Sequence, residues 1–89
     1  MKPYQLAIAN QRESQVYSMN LNKVPEGKEF IIQSIETDDE ELDAFLFSLG
    51  CYNGEPITVV SRRRGSCTVA VKDGRYSIDS QLAEAIIVA

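Results

Sequence analysis

The chain has 89 residues, 44% of them hydrophobic and 25% charged, with a net charge of −4, which suits one globular domain around a single small core. That composition argues against disorder over most of the chain, and no apolar run approaches the roughly 20 residues a bilayer span requires. A net acidic chain also argues against phosphate-backbone binding as the main activity, and the lack of histidine removes the commonest general base and first-row metal ligand.

Residues 1–18 read as an N-terminal extension. Tyr4, Leu6 and Ile8 alternate as in a short edge strand, and residues 10–15 form a polar connector. The Leu6-Ala7-Ile8-Ala9 patch is too short for a signal-peptide core, so the expected compartment is the cytoplasm. From Met19 the pattern sharpens. Leu21 and Val24 precede the turn signal Pro25-Glu26-Gly27, and residues 28–35, rich in β-branched and aromatic side chains, predict a strand.

The next stretch predicts the principal helix. Thr37 and Glu40 stand at capping-box spacing, and acidic residues crowd the first turn, where the helix dipole favours them. Leu42, Phe45, Leu46 and Leu49 follow at i, i+3, i+4 and i+7, one apolar face expected to dock on the rest of the fold. Gly50 stands at the left-handed C-terminal cap, and Asn53-Gly54 marks a tight turn before a strand over residues 57–61. Residues 62–66 read as a hairpin loop. Cys67, Val69 and Val71 alternate in the returning strand, Asp73-Gly74 fits a type I′ turn, and residues 76–78 should pair back. Asp79 is placed to cap a short helical turn over residues 80–84, and Ile86-Ile87-Val88 predicts a last strand.

The count is about five strands with one or two helices, a mainly β chain. Short twisted strands joined by tight turns suit a small SH3-like barrel with the principal helix plugging an open end; an OB-type barrel is the competing topology. Glu36, Asp38, Asp39, Glu40, Glu41 and Asp43 contribute −6 within eight positions, leaving the rest of the chain at +2 and the molecule dipolar. Cys51 and Cys67 are too few for a disulfide framework and too far apart in sequence for a zinc knuckle. They read as small apolar side chains, or as a redox or soft-metal pair if adjacent in space.

Residues 21–27 (Leu-Asn-Lys-Val-Pro-Glu-Gly), Leu49-Gly50 with Gly54 four residues on, Ile57-Thr58-Val59-Val60, and the closing Ile78, Ala83, Ile86 and Val88 together resemble the FeoA-type ferrous iron transport protein A family. The resemblance covers about residues 19–88. It implies an SH3-like barrel domain over residues 19–89, in the cytoplasm or peripheral at the inner membrane through its partner. That partner would be the membrane ferrous iron transporter with a GTP-binding domain, which the protein would bind and regulate. The family implies no catalytic residue, metal site or cofactor. Related barrels form C-terminal domains of metal-dependent repressors. Here an acidic run opens the helix, Asp79 replaces an arginine, and Arg62-Arg63-Arg64-Gly65 replaces the family's Pro-Gly hairpin tip.

No constellation in the chain supports catalysis, because Ser61, Ser66, Ser77 and Ser80 have no base beside them in sequence and a nucleophile needs one. Function is therefore expected in surfaces. Phe47 lies off the apolar stripe and Tyr52 sits in the following turn, an aromatic pair suited to anchor a partner. Arg62, Arg63 and Arg64 at a hairpin tip would suit a transporter's acidic segment, a phosphate or an anionic surface. The alternative is a nucleic-acid-binding barrel that uses the arginine tip with Tyr52 or Tyr76 for stacking, or an accessory module of a metal regulator.

Overall fold

A computed structural model describes residues 18–89. The edge strand expected around Tyr4, Leu6 and Ile8 lies outside the described residues. Among the described residues six strands appear rather than five: β1 (Met19–Asn20), β2 (Glu29–Ile35), β3 (Pro56–Arg63), β4 (Ser66–Val71), β5 (Gly74–Asp79) and β6 (Ile86–Val88). All neighbours are antiparallel, in the order β1-β6-β2-β3-β4-β5. The additional strand, β1, is two residues long and pairs Met19 with Val88, too brief to leave an alternation in the sequence. Two helices complete the fold, α1 (Glu40–Leu49) and α2 (Ser80–Ala85), with a 3-10 turn at Leu21–Lys23.

The core lies where the alternating strands turn inward. Ile32, Ile57, Val59, Val69, Val71, Ile78, Ile86 and Val88 are buried, joined by Leu21, Ala83 and Ala85. Asp79 caps α2 as expected, accepting from the Leu82 N–H at 2.8 Å. The start of α2 is tied down twice: Ser80 N–H donates to the Gly65 carbonyl at 3.1 Å, and Asn22 Nδ2 donates to the Ser80 carbonyl at 3.0 Å. These bonds hold α2 against the 3-10 turn and the β3–β4 hairpin, so this short helix packs its alanines into the core.

The helix α1 differs from expectation at its cap and along its apolar stripe. Its cap is Asp39, whose Oδ1 accepts from the Glu41 and Leu42 N–H groups, while Thr37 Oγ1 accepts from the Asp39 N–H. With Asp39 as cap, Glu40 is the first helical residue and the capping box at Thr37 and Glu40 does not form. Of the predicted stripe only Leu46 is fully buried; Leu42 and Leu49 are half-buried, and Phe45 is 48% exposed. The periodicity located the apolar side correctly, but the sheet covers only its central line.

Two hairpins also shift. The strand β3 runs through Arg63, so the β3–β4 connection is Arg64-Gly65 alone and Arg62 pairs with Cys67. The β4–β5 connection is Lys72-Asp73, closed by Val71 and Gly74, with Lys72 at φ +54 instead of the expected Asp73-Gly74 turn. Both registers would keep Val69, Val71 and Ile78 inside, so alternation alone could not choose between them. The expected one would set Lys72 opposite Arg75, which like charges disfavour. The observed one lays the Tyr76 ring over Gly74, where a Cβ would collide with the ring and its hydroxyl.

Candidate partner-docking site

The end of α1 is built to hold still. Gly50 adopts φ +100, and its N–H donates to the Phe47 carbonyl while the Cys51 N–H donates to the Leu46 carbonyl, at 3.0 and 2.9 Å. This bond pair is the Schellman arrangement, and buried Leu46 and Cys51 supply the apolar contact that accompanies it. The chain then turns through residues 52–55, with the Glu55 N–H donating to the Tyr52 carbonyl at 3.1 Å. Two more bonds stitch this turn to β2: Gly54 N–H to the Ile32 carbonyl and Ile32 N–H to the Glu55 carbonyl, at 2.8 and 2.9 Å. Phe47 and Tyr52 therefore flank a fixed corner, one before it in the chain and one after.

The structure brings those two rings together. Their centroids lie 4.9 Å apart with planes tilted by 40°, while Phe47 remains 63% exposed. Lys72, whose position in the β4–β5 connection could not be foreseen from local sequence, crosses the same corner. Its Nζ sits 5.0 Å from the Tyr52 ring centroid and 3.2 Å from Glu55 Oε1. Hydrogen bonding to Tyr52 and then to Glu55 raises its pKa, so the ammonium stays charged. Lys72 reaches them only by passing over Gly50, where a Cβ would lie 2.7 Å from its Cγ; the glycine is required by this close approach as well as by its φ. The result is a shallow depression of about 460 Å³ lined by Phe47, Ser48, Leu49, Gly50, Tyr52 and Lys72. An aromatic shelf with an already paired cation at its edge can take up an apolar side chain without stranding a charge.

The arginines separate. A bulge between Val59 and Ser61 shifts the strand's phase and turns Arg62 to the side of buried Cys67. There its guanidinium donates to the Leu21 and Val24 carbonyls, at 3.1 and 2.6 Å, and its backbone N–H donates to Glu26 Oε2 at 2.6 Å. Arg62 thus clasps the 3-10 turn to β3 and is not part of a tip cluster. Arg63 and Arg64 are exposed. The nucleic-acid reading loses one of its three cations by this pairing, and Tyr76 lies folded over Gly74.

Cys51 and Cys67 are both free and buried. Burial pushes the Cys51 thiol up to about 11; it also raises the Cys67 thiol, an effect that the nearby Arg62 charge partly opposes. Neutral, enclosed thiols are poor nucleophiles and poor metal ligands. Among the described residues no group of three or more His, Cys, Asp or Glu side chains could hold a metal ion, and no helix is long and apolar enough to cross a membrane.

Among solved structures the chain is similar to a manganese-dependent transcriptional repressor, with a TM-score of 0.76 and 23% identity over 81% of this chain. It spans only 41% of that repressor. It is also similar to an iron uptake regulatory protein, FeoA, with a TM-score of 0.71 and 24% identity over 81% of this chain and 95% of the other. A third is FeoA from Stenotrophomonas maltophilia, solved with zinc and described as a prokaryotic SH3 domain protein: TM-score 0.72, 20% identity, 80% of this chain and 89% of the other. These likenesses establish the SH3-like fold. No curated protein matches the sequence. The FeoA domain model matches residues 19–89, and the chain therefore belongs to the FeoA domain family.

Proposed function

We propose that this protein is a non-catalytic interaction component of a ferrous iron uptake system, one that binds and regulates the membrane ferrous iron transporter carrying a GTP-binding domain. The observation that carries this reading is the exposed Phe47 ring tilted against the Tyr52 ring at a corner held by the Schellman bonds and by Lys72. A large apolar side chain fixed in water on a rigid support is the usual composition of a binding anchor, since little ordering entropy opposes its docking. Arg63 and Arg64, exposed near the β3–β4 turn, serve as a secondary, electrostatic contact to an acidic segment of the transporter. The protein acts in the cytoplasm and reaches the membrane through this partner.

The test is co-purification with the transporter in its nucleotide-free, GDP-bound and GTP-bound states. Phe47→Ala is expected to weaken binding by about 2 kcal/mol, some thirtyfold, which is the scale of an aromatic anchor. Arg63→Glu with Arg64→Glu should slow association and change its salt dependence. Failure to co-purify in every nucleotide state would end the proposal; binding untouched by Phe47→Ala would move the interface elsewhere.

A further inference from the structure

The two ends of the sheet are unequal. At one end β1 is two residues long; at the other β5 is six residues long and, among the described residues, hydrogen-bonded to β4 alone. Exposed edges are normally blunted by charged side chains, lysine above all, by proline, a bulge or shortness. The strand β5 has neither proline nor lysine, its two exposed charges, Arg75 and Asp79, are of opposite sign, and its ladder with β4 runs without a break from Ser66–Asp79 to Val71–Gly74, whereas β2–β6 and β3–β4 are bulged.

The ladder's alternation decides what this edge offers. A two-residue connection closes on a pair that exchanges both backbone bonds, so Val71 and Gly74 bond each other, and Tyr76 and Ile78 likewise turn toward β4. The other hairpin gives the same phase: Ser66 closes the Arg64-Gly65 connection with Arg63, leaving Asp79 opposite it unbonded. Arg75, Ser77 and Asp79 therefore aim backbone groups away from the sheet, and all three side chains are exposed. Among the described residues no turn or loop backbone group bonds to them.

We propose that two copies of this chain pair antiparallel through β5, about a two-fold axis at Ser77. The segment is self-complementary in that register. Ser77 of each copy faces Ser77 of the other, and Arg75 of each faces Asp79 of the other, so opposite charges meet twice on the outer face. The Asp79 carbonyl opens α2 and Oδ1 caps it, which leaves the Asp79 N–H for the Arg75 carbonyl and the second carboxylate oxygen for the Arg75 guanidinium. Four main-chain bonds and two ion pairs result, joining the two sheets into one. The docking corner at Phe47 and Tyr52 is not used, so this pairing is independent of the transporter reading.

Sedimentation equilibrium of the full chain from ~1 µM to ~1 mM tests it, with a concentration-dependent dimer expected within that range. Arg75→Glu sets like charges opposite Asp79 at both ends and should raise the dissociation constant about tenfold or more. Ser77→Pro removes the N–H donated at the axis and should abolish the dimer; since that N–H faces solvent in one copy, the far-UV circular dichroism should not change. Ser77→Cys under mild oxidation should give a disulfide-linked dimer, because hydrogen-bonded partners have Cα atoms about 5.5 Å apart, within disulfide reach. The native cysteines are buried and will not compete. A monomer throughout the range overturns the proposal, as does a dimer that Arg75→Glu leaves unchanged and Ser77→Cys does not cross-link. Should Ser77→Pro fail to fold, the other two variants decide.

Discussion

The two helices have exchanged the roles their sequences suggest. The ten residues of α1 carry a clear i, i+3, i+4, i+7 stripe, yet bury only Leu46 completely and leave Phe45 and Phe47 in water. The six residues of α2 carry almost no pattern, yet bury Ala83 and Ala85 and are bonded at their start to the 3-10 turn and the β3–β4 hairpin. Helical periodicity says which side of a helix is apolar; what comes to cover that side depends on chain segments far away. A small residue reports close approach better than a large one, since alanine lets α2 lie directly on the sheet.

Substitutions can sharpen this contrast. The largest effect is expected at Leu46: Leu46→Ala should cost about 2–5 kcal/mol in urea denaturation, because the side chain is fully buried and its removal leaves a cavity that the surroundings close only in part. Next comes Ala83→Leu. At a fully buried alanine, three added carbons must displace the sheet or the 3-10 turn, and a loss of about 1–3 kcal/mol is expected in the same measurement. Phe45→Ala should change stability by about 0.5 kcal/mol or less, as at other surface sites, although it removes the largest member of the stripe. If Phe45→Ala cost as much as Leu46→Ala, α1 would be docked along its whole stripe and the contrast between the helices would fail.

The same division runs through the site. The aromatic pair was legible because Phe47 falls off the stripe and Tyr52 follows a glycine stop, both local facts. Lys72 and Glu55 were not legible, because the two-residue connection that delivers Lys72 to the corner is selected by cross-strand neighbours. Gly74 carried a signal that pointed the wrong way: a glycine after aspartate suggests a turn, but here it makes room for the Tyr76 ring. The arginine run illustrates how one extra residue reassigns a side chain. Without the bulge after Val59, Arg62 would lie on the outer face; with it, the guanidinium satisfies the carbonyls of Leu21 in the 3-10 turn and of Val24 just after it.

The buried thiols give the fold a sensitivity to alkaline pH. The Cys51 thiol ionises near 9.0 when unfolded and near 11 when buried, so the folded state holds the proton longer. Stability from this group is present below pH 9 and is lost as pH rises from there toward 11, since ionisation of the unfolded thiol draws the equilibrium.

Local chemistry sufficed to determine that the chain is mainly β with two helices, since β-branched alternation, glycine stops and aspartate caps act over a few residues; the choice of an SH3-like barrel over an OB-type one came from the family resemblance and the likeness of the folded chain. Which apolar faces are covered, which arginine is enclosed and which residues meet at the aromatic corner were decided only by the packed molecule. The reason is that burial, register and ion pairing here join residues tens of positions apart, and the energies that choose among them arise only once the sheet has assembled.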